Sequence, residues 1–209
     1  LDGMHRGHIE IISDLKAISK TNNIPSVVIT FDPHPKTVLQ PSGKSIQLLQ
    51  STDKKMEFIE KWAVDYVWII PFDKKFSQLS AGEFLKQYIS EYFNPVDIII
   101  GYDHHFGFNR EGDEDFLDEN KKEYGYNLSI KEPILYHGIP ISSSRIRSYL
   151  KSGNIDKASE CLGREYEFSG IVVKGQGRGT QLEFPTANIN PIISNQLIPA
   201  HGVYCVDAI

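Results

Sequence analysis

Two imidazoles three residues apart, His5 and His8, stand where a helical pattern begins, behind Asp2-Gly3 and separated by Arg6-Gly7. From a helix start both rings can reach the same anion. Gly7 carries no side chain, so a phosphate can approach the backbone closely there. The free amides of the first turn add donors, and the helix dipole favours negative charge at that end. The combination suits the phosphates of ATP and the charge that builds when an α-phosphorus is attacked. The same spacing also fits a pair of surface histidines or half of a zinc site.

A second cluster lies far along the chain in Ile141-Ser142-Ser143-Ser144-Arg145-Ile146-Arg147. Three hydroxyls at a helix start, with guanidinium groups in the first turn, form another anion site. Arg145 and Arg147 are two residues apart and cannot share a helix face. One is therefore expected on the anion and the other in solvent. Read alone, such a Ser-rich start with nearby arginines is more often just a well-capped helix. A third feature, Gly175, Gly177 and Gly179, lets backbone amides face phosphate, or makes a tight hairpin turn.

The elements that must position these residues are legible from periodicity. Ile11, Leu15 and Ile18 mark a helix after His8; Pro25 to Phe31 reads as a buried strand. A helix follows Thr52 with Met56, Ile59 and Ala63 on one face, and Tyr66 to Ile70 is the next strand. Ser80 and Glu83 form a capping-box pair ahead of Phe84, Leu85, Tyr88, Ile89 and Tyr92. Val96 to Ile100 and Leu128 to Ile130 are further strands around a helix over residues 112–124 that stops at Gly125. Strands alternating with helices predict a parallel sheet covered on both faces. Short helices end at Gly153 and Gly163. Residues 165–209 turn strand-like with Gly and Pro punctuation, which predicts an antiparallel barrel or sandwich and a boundary at Gly163-Arg164. Trp62 and Trp68 are expected in core packing, and Tyr88 and Tyr92 on an amphipathic face.

Composition narrows the classes. The chain has 209 residues, 40% of them hydrophobic and 23% charged, which is ordinary for a globular protein. A net charge of −5 argues against general nucleic-acid binding, which needs a basic face. No apolar run reaches the ~18 residues a membrane span needs. Two cysteines far apart, Cys161 and Cys205, make a disulfide framework unlike this chain and point to a reducing cytoplasm. The partners expected are small molecules, with no nucleic acid and no membrane; no residue pattern sets an oligomeric state.

Taken in order, these segments resemble the bacterial bifunctional riboflavin kinase/FMN adenylyltransferases, the FAD synthetases, within the nucleotidylyltransferase superfamily. Thr30-Phe31-Asp32-Pro33-His34-Pro35 is similar to the family's Phe-x-Pro-His-Pro segment, and Gly101 to Gly107, running on to Asp113, to its third block. Ile141 to Arg147 is similar to the fourth, with Ser144 where Thr is common. Gly175 to Gly179, Phe184 to Asn188 and Pro199 to Tyr204 resemble the opening of the riboflavin kinase module.

The resemblance implies a doubly wound, Rossmann-like parallel sheet over residues 1–163, followed by the start of a kinase β-barrel over 164–209. It implies that Gly3, His5, Gly7, His8, Ser143, Ser144 and Arg147 bind ATP, with His5, His8 and Arg147 catalytic. Phe31, Pro33, His34, Pro35 and Asp103 would form the flavin side. Gly175, Gly177, Gly179, Thr186 and Asn188 would meet Mg–ATP in the kinase module. The reaction implied is attack of the FMN phosphate on the α-phosphate of ATP, giving FAD and pyrophosphate with Mg²⁺ offsetting charge, alongside phosphorylation of riboflavin to FMN.

Three departures from the family pattern carry expectations. The family's first strand, ahead of Asp2-Gly3, is not in the chain, so neighbouring strands should lose two-sided burial and stability. The kinase module stops at Ile209, before its catalytic carboxylate, so kinase activity is not expected of this length of chain. Glu183 stands where Gly is usual before Phe-Pro-Thr and should repel ATP or pinch the backbone. Two alternatives stand beside this reading: a nucleotidylyltransferase for another phosphorylated substrate, and a non-catalytic flavin- or metal-binding protein using His5, His8, His104 and His105. The short Asp103-His104-His105 run resembles a metal-phosphoesterase signature without its supporting clusters, and His137 and His201 read as structural or exposed.

Overall fold

Helix α1 (Arg6–Asn22) starts directly behind the Asp2-Gly3 loop, with His5 as its N-cap residue, and ends where Asn23 turns left-handed at φ 53°. The structure, a computed structural model, describes residues 1–40, 46–176, 183–184 and 186–209. Strand β1 (Val27–Asp32) runs parallel to β2 (Tyr66–Pro71), Val27 opposite Tyr66 and Asp32 opposite Pro71. Between them lie α2 (Pro35–Leu39) and α3 (Thr52–Glu60). Ser51 starts α3 by accepting the Lys54 amide at 3.2 Å. Ala63 lies beyond the end of α3, with φ 52°, and not on its face. Met4, Ile12, Val28 and Ile59 form the core beneath this pair, with Met56 and Trp62 packed against them.

Ser80 and Glu83 make the reciprocal capping box expected of them. The helix they start is α over Ala81–Glu83 (α4), π-helical over Phe84–Ser90, and α again over Glu91–Phe93 (α5). It sends Leu85 and Ile89 into a second core with Ile100, Leu117 and Tyr126. Tyr88 and Tyr92 turn the other way and meet Trp68 of β2, ring centroids 6.0 and 5.4 Å apart. Strand β3 (Asp97–Gly101) pairs in parallel with β4 (Asn127–Lys131) around α6 (Glu114–Tyr124). Asp113 caps α6 and a left-handed Gly125, φ 75°, closes it.

The architecture is mixed α/β, with β1–β2 and β3–β4 as separate two-stranded parallel sheets. Tyr66, Ile69 and Ile130 of these strands remain exposed. Parallel strands buried on both faces would have covered them.

Strands β5 (Leu135–Tyr136) and β6 (Ile139–Pro140) form a short hairpin ahead of α7 (Ser143–Lys151) and α8 (Ile155–Leu162). Ile146 and Leu150 pack with Leu49, Ala158, Cys161, Leu162 and Leu197 in a third core. Leu197, from beyond Gly163-Arg164, is fully buried there. Strands β7 (Gly170–Val173) and β8 (Asn188–Pro191) pair antiparallel, the pairing expected of this region. Gly177 and Gly179, named above, and Pro185 of the Phe184 to Asn188 segment lie outside the described residues.

Candidate functional site

The loop that delivers the histidines is built on backbone geometry that needs glycine. Gly3 has φ 82°, and a Cβ on it would stand 2.5 Å from Leu49 Cδ1. Met4 follows with φ 40° and anchors the loop through its buried side chain. Asp2, also buried, accepts the Leu49 amide at 3.2 Å. No side chain caps the start of α1, so its first amides stay open to a ligand.

His5 and His8 stack face to face, ring centroids 3.8 Å apart and planes 22° from parallel. Neither Nδ1 has a hydrogen-bond partner. Burial, followed by nearby positive charge that includes Arg164, lowers His5 to about 4. Burial and then His5 hold His8 well below the usual imidazole range. Both rings are thus neutral at physiological pH, each able to donate one N–H and accept at the other nitrogen. A Cβ on Gly7 would lie 3.3 Å from the His5 ring, so the missing side chain also leaves that ring its place.

At the second helix start, Ser142 accepts the Arg145 amide at 3.3 Å. Ser143 Oγ donates to the Asp2 carbonyl at 2.8 Å, while Ser144 is exposed. Arg147 is buried and forms an ion pair with the Asp2 carboxylate, and its Nε donates to the Gln47 carbonyl at 2.8 Å. Burial pushes Asp2 up, while Arg147 and the Leu49 amide pull it down. A carboxylate surrounded only by donors accepts from all of them, so the geometry describes an ionised pair. Neither arginine is simply solvated, as the spacing had led one of the two to be expected. Arg145 donates to the Ile139 carbonyl at 2.7 Å and to Tyr149 Oη at 2.8 Å, holding the β5–β6 hairpin.

Both helix starts line a single cavity of about 260 Å³. His5, Gly7 and His8 form one wall and Ser142, Ser143, Ser144 and Arg147 another; Asp103 and His34 complete it. His34 caps α2 by accepting the Lys36 amide at 3.1 Å, and burial lowers it to about 4. The other flavin-side candidates stand apart from this cavity. Phe31 sits among Phe72, Phe76 and Phe84, centroids 5.4 to 6.5 Å away, and Pro33 is exposed behind a cis Asp32–Pro33 peptide. Pro35 opens α2. Gly3 faces a neighbouring cavity of about 170 Å³, shared with Gln50, Arg164 and Tyr166. Thr186 and Asn188 are exposed far along the chain, and a Cβ on Gly175 would overlap the Asn188 amide.

Several residues on the cavity wall escaped the sequence reading. Lys36 and Lys131 line it, as do Tyr102 and Glu132; Lys131 is paired with Asp14 of α1. Lys36 directly follows the Pro-His-Pro run and could have been suspected from that position. Lys55 is buried beside β1, donates to Thr30 Oγ1 at 3.1 Å, and is lowered by burial. Among the described residues, no group of three or more His, Cys, Asp or Glu stands together as a metal site.

Comparison with known proteins decides the family. The family model described as FAD synthetase matches residues 1–145. The chain belongs to the FAD synthetase family. A riboflavin kinase model matches residues 162–209 of the same FAD synthetase family chain. A bifunctional riboflavin kinase/FMN adenylyltransferase of Buchnera aphidicola is 36% identical over 206 residues, covering 98% of this chain and 65% of the relative. Its Escherichia coli counterpart is 31% identical over 208 residues, covering 100% of this chain and 66% of the relative. The chain thus spans just under two thirds of the length of the curated relatives it matches.

A solved structure from Streptococcus pneumoniae, named as a macrolide-efflux protein, aligns with a TM-score of 0.85 at 29% identity. The alignment covers 98% of this FAD synthetase family chain and 66% of that one. Among the described residues here, no helix is long and apolar enough to cross a membrane.

Proposed function

We propose that this chain carries out the adenylyl transfer that makes FAD. The FMN phosphate oxygen attacks the α-phosphorus of ATP, a new P–O bond forms, and the bond to pyrophosphate breaks. The observation that carries this reading is the single cavity walled by both helix starts, with neutral, stacked imidazoles on one side and serine hydroxyls on the other. No protein nucleophile is needed, so the residues contribute position and electrostatics.

In this reading the open amides of α1 and Gly7 take phosphate oxygens, and His5 and His8 donate to them, His8 to the charge that grows at the α-phosphorus. Ser144 donates its hydroxyl to the triphosphate, Ser143 does so by turning from the Asp2 carbonyl, and Arg147 adds positive charge while remaining on Asp2. His34, Phe31, Pro33, Pro35 and Asp103 form the flavin side, and Gly3 shapes the loop. Magnesium offsets charge on the triphosphate, which supplies most of its oxygens. Asp103 and Glu132 put carboxylates on the same cavity wall, the oxygen ligands that magnesium takes.

For the whole protein we place a doubly wound sheet over 1–163, to which β1–β2 and β3–β4 belong, and a kinase barrel from 164 onward, to which β7–β8 belongs. Gly175, Gly177, Gly179, Thr186 and Asn188 would meet Mg–ATP for riboflavin phosphorylation. The unpaired Cys161 and Cys205 fit a reducing cytoplasm.

The test is incubation of the complete protein with Mg–ATP and either FMN or riboflavin, following FAD, FMN and pyrophosphate. Equal amounts of FAD and pyrophosphate from FMN are expected. Tight stoichiometric zinc without pyrophosphate release would overturn the proposal in favour of a binding protein.

A further inference from the structure

Arg164 lies outside the cavity, yet its guanidinium grips the loop that presents the histidines. It donates to the Gly3 carbonyl at 2.8 Å, the Met4 carbonyl at 2.9 Å and Gln50 Oε1 at 3.0 Å. Its Cζ also sits over the Phe58 ring, 4.4 Å from the centroid. Gly3 and Met4 are consecutive residues with positive φ, 82° and 40°. They belong to no helix or strand, so their carbonyls need a partner from elsewhere. A planar guanidinium with a fixed fork of donors suits neighbouring acceptors, where an ammonium offers only a point charge.

The loop is therefore fixed from two sides. The Met4 side chain is buried with Ile12, Val28 and Ile59, and the carbonyls of Gly3 and Met4 rest on Arg164. The next residue is His5, the N-cap of α1, whose ring stacks on His8.

Arg164 is itself held in place. Gly163, left-handed at φ 75°, ends α8 immediately before it. Two residues on, Tyr166 donates to the Leu197 carbonyl at 2.6 Å and accepts from Gln196 Nε2 at 2.9 Å. Gln196 Nε2 also donates to the Leu49 carbonyl at 3.1 Å. The guanidinium thus arrives from the region matched to riboflavin kinase and acts on the region matched to FAD synthetase.

We infer that Arg164 is a positioning residue for adenylyl transfer: through the Gly3 and Met4 carbonyls it sets where His5, and with it His8, meets the triphosphate. The inference rests on the adenylyl-transfer reading above.

Arg164→Met and Arg164→Lys in the full-length protein test it. For Arg164→Met, kcat for FAD formation is expected to fall about 10- to 100-fold, with KM for ATP and FMN within about threefold, as misplaced catalytic groups behave. The melting transition should remain cooperative. Arg164→Lys, which can serve one carbonyl, should recover part of kcat. An unchanged kcat, or a loss that matches the fraction unfolded in both variants, would overturn the inference.

A readout free of turnover separates this from failure of the functional reading. In ¹⁵N-histidine-labelled protein, with His5 and His8 assigned by His5→Gln and His8→Gln, Arg164→Lys should move both ring signals and leave those of His137 and His201 in place. Unmoved His5 and His8 signals would overturn the positioning role even if FAD forms. Absence of FAD from the wild type, with the ring signals moving, would instead remove the functional reading.

Discussion

The Arg147 guanidinium is paired with the Asp2 carboxylate, so the second helix of the site is tied to the loop that starts the first. Both partners are buried, and Ser143 reinforces the tie through the Asp2 carbonyl. Removing one member of a buried pair leaves the other unmatched. We predict that Asp2→Ala lowers stability by about 3 kcal/mol, read from urea melts, and lowers FAD formation beyond the fraction unfolded. A melt equal to that of the wild type would show the pair to be dispensable.

His8→Ala should reduce adenylyl transfer by ~10²-fold or more, as loss of a transition-state donor does. Substrate binding should change less. Intact turnover with collapsed affinity, measured by steady-state kinetics and nucleotide titration, would reassign His8 to ground-state binding.

Gly7→Ala tests the stacked pair without touching either ring. Its Cβ would lie 3.3 Å from the His5 ring, which must shift to admit it. Turnover should fall by about 10-fold with little change in melting temperature. A variant as fast as the wild type would show that His5 tolerates displacement.

The imidazoles also set a pH dependence. His5 and His34 are each lowered from 6.5 to about 4, and His8 shifts the same way. Between those values the unfolded chain binds protons that the folded chain refuses, so stability should fall as pH drops from 6.5 towards 4. Urea midpoints across this range should show the slope, and His5→Gln should flatten it. Triphosphate binding should draw protons onto the rings. Calorimetric titration of ATP in buffers of different ionisation enthalpy should therefore report proton uptake near pH 6; uptake unchanged in His5→Gln would exclude that ring as the source.

Glu183 stands at φ 63°, in the left-handed region that glycine enters without strain. Glu183→Gly should stabilise the fold by about 1 kcal/mol and leave or improve riboflavin phosphorylation by the full-length protein. A large loss of that activity would give the Glu183 carboxylate a role of its own.

Local signals in the sequence proved strong because they depend on one residue's own backbone. Ser142 as a cap, the Ser80–Glu83 box, and Gly125 and Gly163 as helix ends could be named from residue type and position alone. The parallel pairing followed from alternation of strand and helix, but not its division into two ladders, since a strand's apolar run does not name its neighbour. Pairings across distance were beyond reach. Asp2 meets Arg147 across 145 residues and Arg164 meets Gly3 across 161, and no periodicity records such contacts. Helical spacing says only that Arg145 and Arg147 leave each other's face, not what either one meets. The β5–β6 hairpin that receives Arg145 is too short to announce itself.

Leu197 has a practical consequence for anyone dissecting the protein. Its side chain plugs the cluster formed by Leu49, Leu150 and Leu162, and Gln196 next to it braces the strap at Leu48 and Leu49. A gene trimmed after codon 163 would express a product with an uncorked core and a slack strap beside the histidine loop. Weak activity from such a piece would report on the missing plug rather than on the catalytic competence of the first family region.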